Sequence, residues 1–144
     1  MSVPVALDEL AETVARFGAN GFLMSAGGDG RPRINHVATR CEGNVVHTSI
    51  GRGTAAALAE RPLVSCLWPA PDGELSLIAD GEAAVVAGGE PGPDGRVPAT
   101  ITITWAVLHP RPSSHPAERA GRPSTEPAAD ARPARRRGIR GQLS

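Results

Sequence analysis

Apolar and polar positions near the start of the chain follow the period of an α-helix. Apolar side chains recur there at Leu7, Leu10, Ala11, Val14 and Phe17. Residues three and four positions apart share one face of a helix, and a glycine often follows the last helical turn. Gly18 stands at that position, so the pattern predicts an amphipathic helix over residues 7–17.

Beyond residue 20 the apolar period changes to two. Six segments have the length and composition of β-strands, at residues 21–26, 33–41, 45–50, 63–68, 75–87 and 99–109. The last alternates most sharply and predicts one face made of Ile101, Ile103, Trp105 and Val107. A short helix, Thr54–Glu60, follows the third strand. Hairpin-length connections between most of the strands favour a mainly β fold, a closed antiparallel barrel.

From Arg111 onward the chain is rich in Arg, Pro and Ala, with Ile139 and Leu143 as its large aliphatic residues. Such a segment buries too little apolar area to offset the entropy of ordering it. We therefore predict a folded domain over residues 1–110 and a disordered tail over residues 111–144. A frame shift in GC-rich DNA would produce the same composition, so the sequence leaves open whether this tail is functional.

Charge and composition exclude several functions. All 15 basic residues are arginines, and 15 acidic residues balance them, so nothing in the net charge points to nucleic acid or a membrane surface. No apolar run is long enough to span a bilayer and no basic segment precedes an apolar one, which predicts a soluble, cytoplasmic protein. Cys41 and Cys66 lie within strand segments and are expected as reduced, buried thiols.

The histidines and serines form no recognisable catalytic or metal-binding pattern. His36 and His47 lie on neighbouring predicted strands but have no third ligand at suitable spacing, so we expect no metal site. No serine has the G-x-S-x-G setting of a nucleophile. The sequence therefore assigns no catalytic side chain.

The stretch "VVHTSIGRGTAAALAERP" contains a glycine pattern at the junction between a strand and a helix. Gly51, Gly53 and Ala56 fit the dinucleotide fingerprint G-x-G-x-x-[GA]. A Rossmann unit needs a long crossover helix and a parallel strand pair, whereas this strand is the second arm of a tight hairpin. A helix start with Arg52 and Thr54 could still bind phosphate through main-chain N–H groups. The alternative, in which the glycines only turn the chain, stays open.

The order of the elements resembles that of the pyridoxamine 5'-phosphate oxidase-like, FMN-binding split-barrel proteins. The matching segments are "DGRPR" (29–33), "VVHTSIGRGTAAALAERPLVSCLWP" (45–69) and "LSLIADGEAAV" (75–85). The resemblance implies a six-stranded antiparallel split β-barrel with an N-terminal helix and a short helix after the third strand. It also implies a homodimer with the cofactor at the subunit interface.

The resemblance further implies which residues hold the FMN phosphate, namely Arg40, Thr48, Ser49, Arg52, Gly53 and Thr54. The family's Ser-Arg-Lys triplet aligns with 52–54, so its lysine is absent here, and the oxidase's C-terminal substrate segment has no counterpart. Oxidation of pyridoxamine phosphate itself is therefore not expected.

Three functions remain open. The first is an FMN-dependent oxidoreductase of unknown substrate. The second is a non-catalytic carrier of flavin, of the deazaflavin F420 or of haem, and the third is a degenerate barrel without a cofactor. Trp68 and Trp105 are expected to anchor the core or an interface rather than to stack on a flavin.

Overall fold

The computed structural model describes residues 2–110, and the predicted tail over 111–144 lies outside the described residues. The chain begins with a two-residue strand, β1 (Val3–Pro4), a 3-10 turn (Leu7–Glu9) and the helix α1 (Leu10–Phe17). The predicted helix over residues 7–17 is confirmed, with its first turn wound as 3-10 helix. Leu10 and Val14 on its apolar face are buried in the core.

Seven further strands and one helix follow, and every strand pair is antiparallel. They are β2 (Asn20–Ala26), β3 (Pro32–Ala38), β4 (Arg40–Glu42), β5 (Val45–Ile50), α2 (Arg52–Glu60), β6 (Leu63–Trp68), β7 (Leu75–Val85) and β8 (Val97–Pro110). The sheet order is β3-β2-β6-β7-β8-β5-β4, with β1 beside β8. The mainly β, split-barrel prediction is confirmed, although eight strands replace the six predicted.

The extra strands have simple causes. β1 has only two residues and no periodicity to detect. The predicted strand over 33–41 is interrupted at Thr39, where the chain leaves β2 and moves to β5. Because β3 and β4 lie at opposite ends of the sheet order yet are joined by this single residue, the chain itself brings the two ends of the sheet together.

Hydrogen bonds outside the strand ladder hold the bend between β3 and β4 in place. Thr48 Oγ1 on β5 donates a hydrogen bond to the Ala38 carbonyl at 2.7 Å. The main-chain N–H of Thr39 donates to the Ala19 carbonyl at 2.7 Å, and Trp68 Nε1 donates to Thr39 Oγ1 at 3.0 Å. Trp68 is fully buried, so the expectation of a core anchor is confirmed for that residue.

One face of β8 differs from the prediction. Ile101 and Ile103 point into the core, but Trp105 is 49% exposed. The register explains this, because Asp80 pairs with Trp105 while the next residue of β7 pairs with Ile103. Thr104 is therefore an extra residue in a β-bulge, which reverses the alternation after it. The prediction that Trp105 shares a face with Ile101 is wrong for that reason.

One surface of the sheet carries several apolar side chains, and we call it the outer face. It is made of Phe22, Met24, Ile34, Leu67, Ile78 and Trp105. Four of them, Phe22, Met24, Leu67 and Ile78, alternate along their strands with buried core residues, so they point away from the barrel interior. Ile34 and Trp105 share this face through the register of the paired strands. Phe22 also stacks on the ring of His36, with the ring centroids 4.9 Å apart.

Within residues 2–110 no helix is both long enough and apolar enough to cross a membrane.

Candidate functional site

An open groove of about 780 Å³ lies beside the bend between β3 and β4. β5 and the loop between β7 and β8 form its other walls, and its lining includes Thr39, Arg40, His47, Thr48, Ser49 and Arg96. Three of the residues predicted to bind the cofactor phosphate, Arg40, Thr48 and Ser49, therefore lie together. The volume is within the usual range for small-molecule sites.

The alternation of β5 decides which side chains reach the groove. Thr48 is buried and its hydroxyl donates to the Ala38 carbonyl, so only its lone pairs remain for a ligand. Ser49 points to the opposite side and is exposed. Of the two neighbouring hydroxyls, Ser49 is thus the one free to donate to a ligand.

Two basic side chains on adjacent strands share one carboxylate at the groove. Arg40 pairs in register with His47 across β4 and β5. Glu42 Oε2 lies 2.6 Å from Arg40 Nη1, and Glu42 Oε1 lies 3.3 Å from His47 Nε2. The carboxylate offsets part of the positive charge of Arg40, and all of these side chains remain partly in contact with water.

Arg96 is a further cation of the groove that the sequence analysis missed. Its Nη2 donates to the Ser49 carbonyl at 2.8 Å, and its main-chain N–H donates to Asp94 Oδ1 at 3.1 Å. The turn before it needs Gly95, whose φ is 81°. The sequence signal is weak, an arginine after an Asp-Gly turn, because Arg96 is 47 residues from its partner Ser49.

The start of α2 has the features of an anion site. Gly51 precedes the helix without a side-chain cap, and the first turn contains no acidic residue. The first helical bond runs from the Ala55 N–H to the Gly51 carbonyl, so the N–H groups of 52–54 have no acceptor within the helix. Uncapped N–H groups and the helix dipole favour a phosphate, so the residues present fit the phosphate of a flavin.

The glycines at this helix start are not required by the fold. A Cβ atom added to Gly51 or Gly53 would meet no other atom within 4 Å. The φ of Gly51 is −72°, which any residue adopts. Small residues here leave the main chain open to a ligand, which is the usual function of glycine in phosphate-binding turns.

Thr54 is held by a residue of β3 that the sequence analysis did not single out. Asn35 Nδ2 donates to Thr54 Oγ1 at 3.1 Å. This bond orients the threonine hydroxyl and leaves its hydrogen available to a ligand. The predicted phosphate residues therefore form two groups, one lining the groove and one at the start of α2, which the chain connects through Ile50 and Gly51.

The remaining polar candidates lie apart from one another. His36 stacks on Phe22, whereas His47 contacts Glu42. Among residues 2–110 there is no cluster of three or more metal-ligating side chains. Both cysteines are free, and burial raises the pKa of the Cys66 thiol to about 12, with Asp80 adding a smaller effect.

No protein-family model and no curated protein matches the sequence, whereas many solved structures match the fold. One is a Clostridium acetobutylicum protein related to general stress protein 26 of B. subtilis (pyridoxinephosphate oxidase family). It is 11% identical, with a TM-score of 0.60 over 74% of this chain and 92% of that one.

Two other solved structures of similar fold have names that mention a cofactor. An FAD-binding protein from Mesorhizobium loti is 14% identical, with a TM-score of 0.59 over 78% of this chain and 99% of that one. An F420 reductase is 18% identical, with a TM-score of 0.50 over 70% and 93%. At these identities the likeness concerns the fold. The chain therefore has the split-barrel fold of the pyridoxamine 5'-phosphate oxidase-like proteins.

Proposed function

We propose that this chain binds a flavin-type cofactor, FMN in the first instance, and acts as an oxidoreductase on a small molecule. One observation carries the proposal. A groove lined by Arg40, Arg96 and Ser49 lies beside the segment that leads into α2, and Ser49 is three residues before the uncapped start of that helix. The names of similar folds, an FAD-binding protein and an F420 reductase, support a cofactor of this class.

Several groups at the start of α2 and in the groove would contact the cofactor phosphate. The N–H groups of 52–54, the Arg52 guanidinium and the hydroxyls of Ser49 and Thr54 would hold the phosphate, with Arg40 adding charge from the groove. A bound flavin supplies the hydride or electron transfer, so the protein needs no acid–base side chain of its own. The protein's part is to anchor the phosphate and to position and shield the ring.

The outer face supports the homodimer that the resemblance implies. Ile34 is 67% exposed and Trp105 is 49% exposed. Exposed apolar side chains on a sheet face often mark an interaction site, and here the hydrogen-bonded pair Ser65 and Asp80 lies between Met24 and Trp105. We propose that a second copy of the chain covers this face and that Trp105 anchors the interface.

The decisive experiment is the visible absorption spectrum of the purified protein after addition of FMN and gel filtration. We expect the flavin to remain with the protein. Arg52→Ala should weaken FMN binding by about tenfold or more, because a charge-assisted contact to phosphate is lost. Arg31→Ala is the matched control, since Arg31 is an exposed arginine of the β2–β3 hairpin, paired with Asp29. Equal FMN affinity of the two variants would reject the phosphate site.

A second candidate function is a deazaflavin-binding protein. It is favoured by the fold of the F420 reductase and by Gly53-Thr54, which stand where the resembled family has Arg-Lys. Comparing the affinity of the protein for FMN and for the deazaflavin separates the two cofactors. Mixing the loaded protein with NADH or NADPH then separates an enzyme from a carrier, because a carrier leaves its cofactor oxidised.

A further inference from the structure

We propose that Glu42 is an internal competitor for the anionic group of the ligand and thereby sets the affinity and selectivity of the groove for anions. This inference rests on the proposed function, because it concerns the same cofactor phosphate. Glu42 acts indirectly, by binding Arg40 and His47 and offsetting part of the positive charge at the groove.

The geometry at Glu42 is that of one oxyanion bound by two basic groups. Its two oxygens lie 2.6 Å from Arg40 Nη1 and 3.3 Å from His47 Nε2. Arg40 and His47 are opposite each other on β4 and β5, and both line the groove. Two basic groups that converge on the oxygens of a carboxylate can converge equally on the oxygens of a phosphoryl group.

A phosphate can replace the Glu42 carboxylate at Arg40 because the ion pair between Glu42 and Arg40 is weak. The Glu42 and Arg40 side chains are 66% and 62% exposed, so water screens their attraction. No other side chain of residues 2–110 forms an ion pair with Glu42. A dianionic phosphate attracts Arg40 more strongly than a carboxylate does, whereas a monoanionic carboxylate ligand gains little by replacing one carboxylate with another.

This arrangement makes Glu42 a selectivity filter. Ligands that carry a phosphate displace Glu42 from Arg40, whereas ligands that carry a carboxylate gain little from Arg40. Removing the charge of Glu42 should therefore raise the affinity for every anion and narrow the difference between phosphate and carboxylate.

The test compares two flavins that differ only in the phosphate, FMN and riboflavin. The ratio of their dissociation constants isolates the contribution of the anion from that of the ring. We expect Glu42→Gln to tighten FMN by about two- to fivefold and to leave riboflavin unchanged, since an exposed ion pair is being removed as a competitor. Glu60→Gln is the matched control, because Glu60, the last residue of α2, also forms an exposed ion pair with an arginine, Arg61, outside the groove.

A double-variant cycle makes the test specific. In an Arg40→Gln background the Glu42→Gln substitution should no longer change the FMN to riboflavin ratio. The inference is overturned if Glu42→Gln behaves like Glu60→Gln, or if its effect persists without Arg40. Binding of neither flavin by the unsubstituted chain would overturn the proposed function together with the inference, so the two failures are distinguishable.

Discussion

At the scale of single residues, Gly81 meets the strictest steric condition in the sheet. A Cβ atom at this position would overlap sterically with the Thr102 carbonyl oxygen of β8. The close approach occurs beside the bulge, where the register of β7 and β8 shifts. Glycine is therefore required here by packing, whereas the glycines before and within α2 stand in open space.

Substitution of Gly81 should show this difference directly. We expect Gly81→Ala to lower the free energy of unfolding by about 1–3 kcal/mol, because a well-packed site must shift to admit a methyl group. Denaturant unfolding followed by circular dichroism measures the change. Gly28→Ala is a suitable control, since an added Cβ there meets no atom within 4 Å and the φ is not in the left-handed region.

Gly53→Ala distinguishes an effect on folding stability from an effect on cofactor binding. Alanine is a better helix former than glycine, and space is available, so stability should stay equal or rise by up to about 1 kcal/mol. If a phosphate approaches the main chain here, the methyl group should weaken FMN binding. Unchanged FMN affinity, measured by quenching of flavin fluorescence, would count against close approach at this residue.

The buried thiol of Cys66 makes stability depend on alkaline pH. Its pKa rises from an ordinary value of 9.0 to about 12 in the folded chain. Between these values the unfolded thiol is ionised while the folded thiol keeps its proton, so the unfolding free energy falls as pH rises, by up to about 1.4 kcal/mol per pH unit. Below pH 9 the contribution is fully present. Cys66→Ala should remove this part of the slope in unfolding experiments between pH 8 and 11.

At the scale of elements, the bend between β3 and β4 closes the sheet and forms one wall of the groove. Thr39 occupies the bend, accepts the indole N–H of the fully buried Trp68 and donates its own hydroxyl to the Ala19 carbonyl at 2.9 Å. A buried indole without an acceptor is costly. One hydroxyl thus connects the core to the position of Arg40.

Thr39→Val keeps the shape of the side chain and removes its hydrogen bonds. We expect a loss of about 1–3 kcal/mol in the free energy of unfolding, because the Trp68 N–H is left unsatisfied. Thr102→Val on the exposed side of β8 is the control and should stay within about 0.5 kcal/mol. Equal stability of the two variants in chemical denaturation would show that the bend does not depend on this bond.

The elements themselves follow from local sequence to a large degree. Both helices and the strands from β5 to β8 lie within a few residues of their predicted positions, because periodicity is recorded in neighbouring residues. No periodicity in the neighbouring sequence indicates the bulge at Thr104 or the break between strands at Thr39. Both arise from the register between strands far apart in the chain, and the bulge moved Trp105 out of the core.

At the scale of the whole molecule, the outer face leaves Ile34 and Trp105 exposed to solvent. If a second copy covers it, a charge placed there should dissociate the dimer. We expect Ile34→Glu to elute as a monomer in gel filtration with light scattering, since burying an unpaired carboxylate is unfavourable. Val86→Glu, on the loop after β7, should keep the state of the unsubstituted chain. A monomeric unsubstituted chain would contradict the proposed interface.

The candidate site was only partly accessible to sequence reasoning. The strand–"GRGT"–helix junction indicated Arg52, Gly53 and Thr54, and these stand at an uncapped helix start. Arg96, Glu42 and Asn35 were missed, because each reaches the site through pairing or loop contacts rather than through neighbouring sequence. Tertiary contacts also showed that the hydroxyl of Thr48 is already bonded to the main chain.

The sequence by itself determined the kind, order and approximate length of the elements, since apolar period and turn residues act over a few positions. Tertiary structure decided what those elements bring together. The closure at Thr39, the direction of Trp105 and the meeting of Arg40, Ser49 and Arg96 depend on strand register between distant segments. Register is set by how complete strands pack on a shared core, and no short stretch of sequence contains that information.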